Sequence, residues 1–103
     1  VIGLDGRNAF NSLRCSAFIR ALPEAIPGIL PYVSKVYGNT RSFLFPLDEG
    51  GTKILPLRSG AQQGDPLGPL LYCMATHKAL QQVQSVFGPQ GISSWSYLDD
   101  TFI

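Results

Sequence analysis

The sequence predicts an α+β fold, with a mainly antiparallel sheet packed on two or three helices. Three observations carry this. Apolar stretches of strand length lie at both ends, Val1 to Asp5 and Ile92 to Ile103. A further pair of extended stretches flanks a strong turn signal at Asp48-Glu49-Gly50-Gly51. Between these regions lie segments with helical spacing. Strand, helix, hairpin, helix, hairpin is the order of an α+β layout.

Val1 to Asp5 is a short apolar run that ends in a carboxylate, as a buried strand does. Asn11 or Ser12 can cap a helix to about Leu22, with Leu13, Ala17, Ile19 and Leu22 as its apolar positions. Pro23, Pro27, Gly28 and Pro31 interrupt the next stretch, and Tyr32 to Tyr37 forms a short helix closed by Gly38-Asn39. Arg41 to Pro46 and Lys53 to Leu57 read as a β-hairpin. Ser59 to Pro69 is a loop rich in Gly, Gln and Pro. Leu70 to about Phe87 is the longest helical pattern, with prolines at its start and Gly88-Pro89 at its end. Ile92 to Leu98 and Thr101 to Ile103 are β-rich pieces joined at Asp99-Asp100, which predicts a hairpin with acids at its tip.

Bulk properties limit the function classes. The chain has 103 residues, 45% hydrophobic, which fits one small domain or a piece of a larger one. A formal net charge of +1 gives no support by itself to a nucleic-acid partner. Cys15, Cys73 and His77 form no ligand cluster, and both cysteines are expected to be reduced core thiols. No apolar run is long enough to span a bilayer. Ends that read as strand suggest an excerpt of a longer protein.

Three places bear chemistry. Asp5 ends a strand that would fix its direction, as a metal ligand needs, although turn and capping aspartates are common. Asp99 and Asp100 are adjacent carboxylates, which repel unless a cation, a proton or water compensates; they serve equally as an exposed polar turn. A hard divalent cation with oxygen ligands would resolve the repulsion. The stretch from Gly60 to Pro69 has glycines that let a backbone approach a ligand, yet it lacks the Gly-Lys-Ser/Thr ending of a P-loop. Together, three acids from two strand ends and a Gly-Gln loop meet the needs of two-metal phosphoryl transfer.

Three segments, in this order, resemble the palm of a reverse transcriptase, most closely that of non-LTR (LINE-type) retrotransposons. Leu4 to Ser12 (LDGRNAFNS) resembles the family's first acidic motif. Gln63 to Leu71 (QGDPLGPLL) resembles its central motif, with Gly68 where many relatives have Ser. Tyr97-Leu98-Asp99-Asp100 resembles its Y-x-D-D motif. The resemblance spans the chain and implies a partial reverse transcriptase domain over residues 1–103, with fingers, thumb and any endonuclease outside it. It implies that Asp5 and Asp99 bind two Mg²⁺ ions (or Mn²⁺) and that Asp100 is a third, less direct acid. Phe10 matches the aromatic gate that excludes a ribose 2′-OH. Ala9 and Phe10 match positions whose amides meet the triphosphate. Gln63 and Gly64 match the segment touching the incoming nucleotide and template base, and Tyr97 and Leu98 match residues on which the primer end packs.

The implied activity is RNA-directed DNA polymerisation, transferring dNMP from a dNTP to a primer 3′-OH on an RNA or DNA template. The implied setting is an intracellular ribonucleoprotein, nuclear or cytoplasmic. Two alternatives stand beside it. One is an inactive palm-like module of a decayed retroelement that binds nucleic acid or a partner. The other is an RNA-dependent RNA polymerase, which Tyr97 and Phe10 disfavour.

Overall fold

In a computed structural model, residues 1–103 form four α-helices, five strands and two single 3₁₀ turns. Strand β1 is Gly3–Asp5, helix α1 is Ala9–Ser12, α2 is Cys15–Ala25 and α3 is Leu30–Tyr37. Strands β2 (Arg41–Pro46) and β3 (Thr52–Leu57) follow, then α4 (Gly68–Phe87), β4 (Trp95–Tyr97) and β5 (Asp100–Phe102). The α+β expectation holds, and every strand pair is antiparallel.

The core is helical. Phe18 and Leu22 stand one turn apart on α2 and are fully buried against Val33 and Tyr37 of α3 and Leu71 of α4. Spacing of four residues puts side chains on one face of a helix, which is why this pair enters the core together. Phe18 meets the edge of the Tyr37 ring at 5.2 Å between centroids, a favoured aromatic geometry.

The strands divide into two sheets. One has the order β1-β5-β4, so the first strand lies against the last. The other is the isolated hairpin β2-β3, in register from Arg41 opposite Leu57 to Pro46 opposite Thr52. Its turn uses Gly50 at φ 85° and Gly51 at φ 98°, a backbone region open chiefly to glycine.

Five sequence expectations need correction. Strand β1, read as buried, is exposed along its length, with Leu4 51% exposed, because it lies at the edge of its sheet and pairs only with β5. The first predicted helix is two, α1 and α2, broken at Leu13-Arg14, where Leu13 is extended. Pro23 does not end α2 but lies inside it; near a C-terminus a proline costs one ladder bond, and the burial of Phe18 and Leu22 holds the turn. The last hairpin turns at Leu98-Asp99, while Asp100 is in β5 opposite Tyr97. Both cysteines are free, but only Cys15 is half-buried and Cys73 is exposed; Cys73 falls on the open side of α4, two positions beyond Leu71. No helix is long and apolar enough to cross a membrane.

Candidate active site

The ladder between β1 and β5 brings residues from opposite ends of the sequence together. Asp5 lies directly across from Asp100. Opposed residues of an antiparallel pair hold their Cβ atoms roughly 4.5–5.5 Å apart, and like charges there destabilise. Asp99 occupies the turn before Asp100. Leu98, just ahead of it, has φ 55°, uncommon for a branched side chain. From this turn Asp99 lines the same two cavities as Asp5 at the end of β1.

After Asp5 the chain must reverse within a few residues. A Cβ at Gly6 would lie 3.0 Å from the Ala9 Cβ, a tight contact, and 3.5 Å from the Tyr72 hydroxyl, an ordinary one, so a side chain there would crowd Ala9. Asn8 adopts a left-handed conformation (φ 52°) and begins α1, as asparagine tolerates better than most residues. Helix α1 presents Phe10, whose ring rests on that of Tyr72 at 4.8 Å.

A cleft of about 420 Å³ opens beside the sheet end. It is lined by Asp5, Arg7, Asn8, Ala9, Phe10, Asn11, Gln63 and Asp99, with Gly6. Five residues singled out from the sequence thus share one space: Asp5, Ala9, Phe10, Gln63 and Asp99. Gly64 lines an adjoining cavity of about 410 Å³ with Phe10, Gln63 and Asp65. Asp100, Tyr97 and Leu98 do not line the cleft; Asp100 is exposed, Tyr97 is 72% exposed and Leu98 is half-buried.

No group of three or more His, Cys, Asp or Glu side chains stands close enough to hold a metal ion. The three aspartates therefore do not converge as a complete ligand set. The Asp5 and Asp99 carboxylates nevertheless share the cleft, and neither makes an ion pair, the one in the structure being Lys78 with Glu24. Two uncompensated carboxylates facing a polar space fit a hard divalent cation, which keeps several waters and needs few protein ligands.

The Gln-Gly loop is fastened to α1 by main-chain bonds. Gly60 N–H donates to Leu13 O at 2.6 Å and Ala61 N–H to Phe10 O at 2.8 Å. The Ser59 hydroxyl donates to Asn11 O at 3.0 Å. Gly60 is at φ 85°, and a Cβ there would fall 2.7–2.9 Å from backbone atoms of Phe10 and Asn11. Only glycine fits.

Tyr72 escaped the sequence reading. It supports Phe10, and it lines the smaller cavity between the sheet and α4 together with Asp5 and Asp99. Burial pushes its phenol pKa up, and the Asp99 carboxylate adds to the shift. Nothing in the helical pattern of α4 distinguishes it from a core aromatic. Arg7, the one cation lining the cleft, stood in a motif without an assigned role.

No protein-family model matches the chain. No solved structure matches it either. Among curated proteins it is 36% identical over 84 residues to the retrovirus-related Pol polyprotein from type-1 retrotransposable element R2 of Bradysia coprophila. The match takes in 80% of this chain and 9% of that relative, so the chain spans under a tenth of the polyprotein. The resemblance read from the three motifs stands, and the chain is a reverse-transcriptase-like relative of a segment of a non-LTR, LINE-type retrotransposon Pol polyprotein.

Proposed function

We propose that this chain is the catalytic centre of a reverse transcriptase palm, a nucleotidyltransferase that adds dNMP to a primer 3′-OH on an RNA or DNA template. The observation that carries it is the shared cleft: Asp5 and Asp99, 94 positions apart, line it with Phe10 and Gln63. Asp5 and Asp99 would hold Mg²⁺, with Asp100 supporting from the neighbouring position. Bound divalent ions supply charge neutralisation of the triphosphate and activation of the attacking hydroxyl. Arg7 adds a positive charge for phosphate oxygens. Phe10 offers its amide at the start of α1, beside Ala9 whose own N–H is held by Gly6 O at 3.1 Å, and the Phe10 ring, braced by Tyr72, limits the space beside the sugar. Gln63 and Gly64 orient the nucleotide, and exposed Tyr97 with Leu98 gives the primer end a surface.

The test uses the complete polymerase that carries this segment. Asp5→Asn and Asp99→Asn should each lower nucleotide incorporation roughly a hundredfold or more, with the circular dichroism spectrum unchanged. Incorporation at the parental rate in both variants would sink the reading. Phe10→Val should admit ribonucleotides, and unchanged sugar discrimination would remove the gate assignment.

The lack of a three-acid cluster favours a second reading, a non-catalytic module that binds nucleic acid or a partner. Grafting residues 1–103 into an active relative separates the two. Incorporation by a folded graft supports the enzyme, and its loss supports the module.

A further inference from the structure

Tyr37 has a feature that core packing does not require. It is 3% exposed, yet its hydroxyl serves two partners on the loop before α4. It donates to the Asp65 carboxylate and accepts from the Gln62 N–H at 3.3 Å. The other Asp65 oxygen accepts the Leu67 N–H at 2.9 Å, and the Asp65 carbonyl accepts the Gly68 N–H at 2.9 Å. Gln63 and Gly64 lie between these anchor points.

The upstream side of the loop is tied to the same place. The Arg41 guanidinium sits 4.4 Å over the Tyr37 ring and donates to Gly60 O at 2.9 Å. Cys15 Sγ also reaches Gly60 O, at 3.8 Å. One buried tyrosine thus meets the loop at Gln62 and Asp65 directly and at Gly60 through Arg41. Charge-assisted hydrogen bonds are the stronger ones, and such networks act as units.

We propose that Tyr37 and Asp65 are positioning residues for the nucleotide, holding the Gln62–Gly64 turn so that Gln63 stands in the cleft opposite Asp5 and Asp99. Tyr37 lines neither that cleft nor the adjoining cavity, and Asp65 borders only the adjoining one, beside Gln63 and Gly64. Their influence on nucleotide affinity runs through the loop. The inference rests on the polymerase reading above.

Tyr37→Phe keeps the ring against Phe18 and Arg41 and removes only the hydroxyl. Asp65→Ala removes the other half of the pair from a half-buried site. Both are made in the complete polymerase carrying this segment, with Asp99→Asn as reference. Each should raise KM for dNTP roughly tenfold, as expected for one hydrogen bond to a charged group, with kcat within about threefold of the parent. The double variant should be no worse than the more affected single one, because the two act as a unit. Amide hydrogen exchange in the peptide covering residues 59–66 should quicken in both. Faster exchange with unchanged KM would leave only a structural role and overturn the proposal. A fall in kcat without a change in KM would overturn it too. Loss of incorporation in Asp99→Asn together with parental KM in Tyr37→Phe and Asp65→Ala refutes positioning alone. Full incorporation by Asp99→Asn refutes the polymerase reading itself.

Discussion

At the scale of single residues, the site depends on groups whose sequence signals differ widely in strength. Gly60 is a sharp case, since it combines a positive φ with backbone atoms 2.7–2.9 Å from any Cβ, which leaves no room for alanine. Gly60→Ala should cost about 2–4 kcal/mol, through backbone strain and overpacking. A urea unfolding midpoint equal to the parent's would contradict this. Tyr37 gives a prediction in pH. Burial first, then its bond to Asp65, pushes its phenol up to about 12, from an ordinary 10.0. Between those values the folded chain keeps a proton that the unfolded chain releases. Stability is therefore fully held below pH 10 and falls as the pH rises toward 12. Tyr72, raised as well, adds in the same direction. Tyr37→Phe should show a shallower alkaline decline in denaturation midpoints; an identical slope would exclude Tyr37 as its source. Asp5, Phe10, Gln63 and Asp99 were legible in the sequence because they stand in ordered motifs. Tyr72 and Tyr37 were not, because their roles come from contacts that helix spacing alone does not reveal.

At the scale of elements, the hairpin β2-β3 was readable to within a residue, since a glycine pair between two apolar runs leaves little choice of turn. Its surroundings are another matter. Leu44 and Ile54 lie opposite one another and are 69% and 64% exposed, and Phe43 and Phe45 are about half exposed. A long apolar edge with free backbone groups invites pairing with another chain. Leu44→Lys with Ile54→Lys should reduce self-association in sedimentation velocity and change unfolding free energy by no more than about 0.5 kcal/mol. Unaltered association would show that the hairpin is not the sticky element. The helices were less readable. Pro23 suggested a stop where α2 continues, because tertiary burial of Phe18 and Leu22 outweighs one missing bond. The final turn slipped by one position, because two adjacent acids gave no sign of which belonged to the strand.

At the scale of the whole molecule, the chain is more open than a domain of its length. Its radius of gyration is 16.8 Å, where about 13 Å is usual. Its accessible surface is 7514 Å², against about 5,700 Å² for a compact monomer of 11.2 kDa. The surplus, about 1,800 Å², is roughly twice what one partner buries in a protein–protein interface of standard size, about 800 Å². Only eight of 103 residues are buried, which is a small core. The chain alone should therefore extend a primer at background rates, and robust extension by it would overturn this expectation. The α+β class followed from the order of patterns. The splitting of the strands into two separate sheets did not, because sheet membership is decided by long-range pairing such as Asp5 with Asp100.

The fastening of the loop at residues 59–61 to α1 has a consequence for descent. Gly60 and Ala61 use main-chain donors, and Phe10, Asn11 and Leu13 accept through main-chain oxygens. Side-chain exchange at Phe10 or Ala61 leaves those two bonds in place. A lineage is thus free to vary the ring at position 10 while inheriting its distance from Gln63. The geometry is heritable separately from the chemistry, so long as position 60 stays glycine.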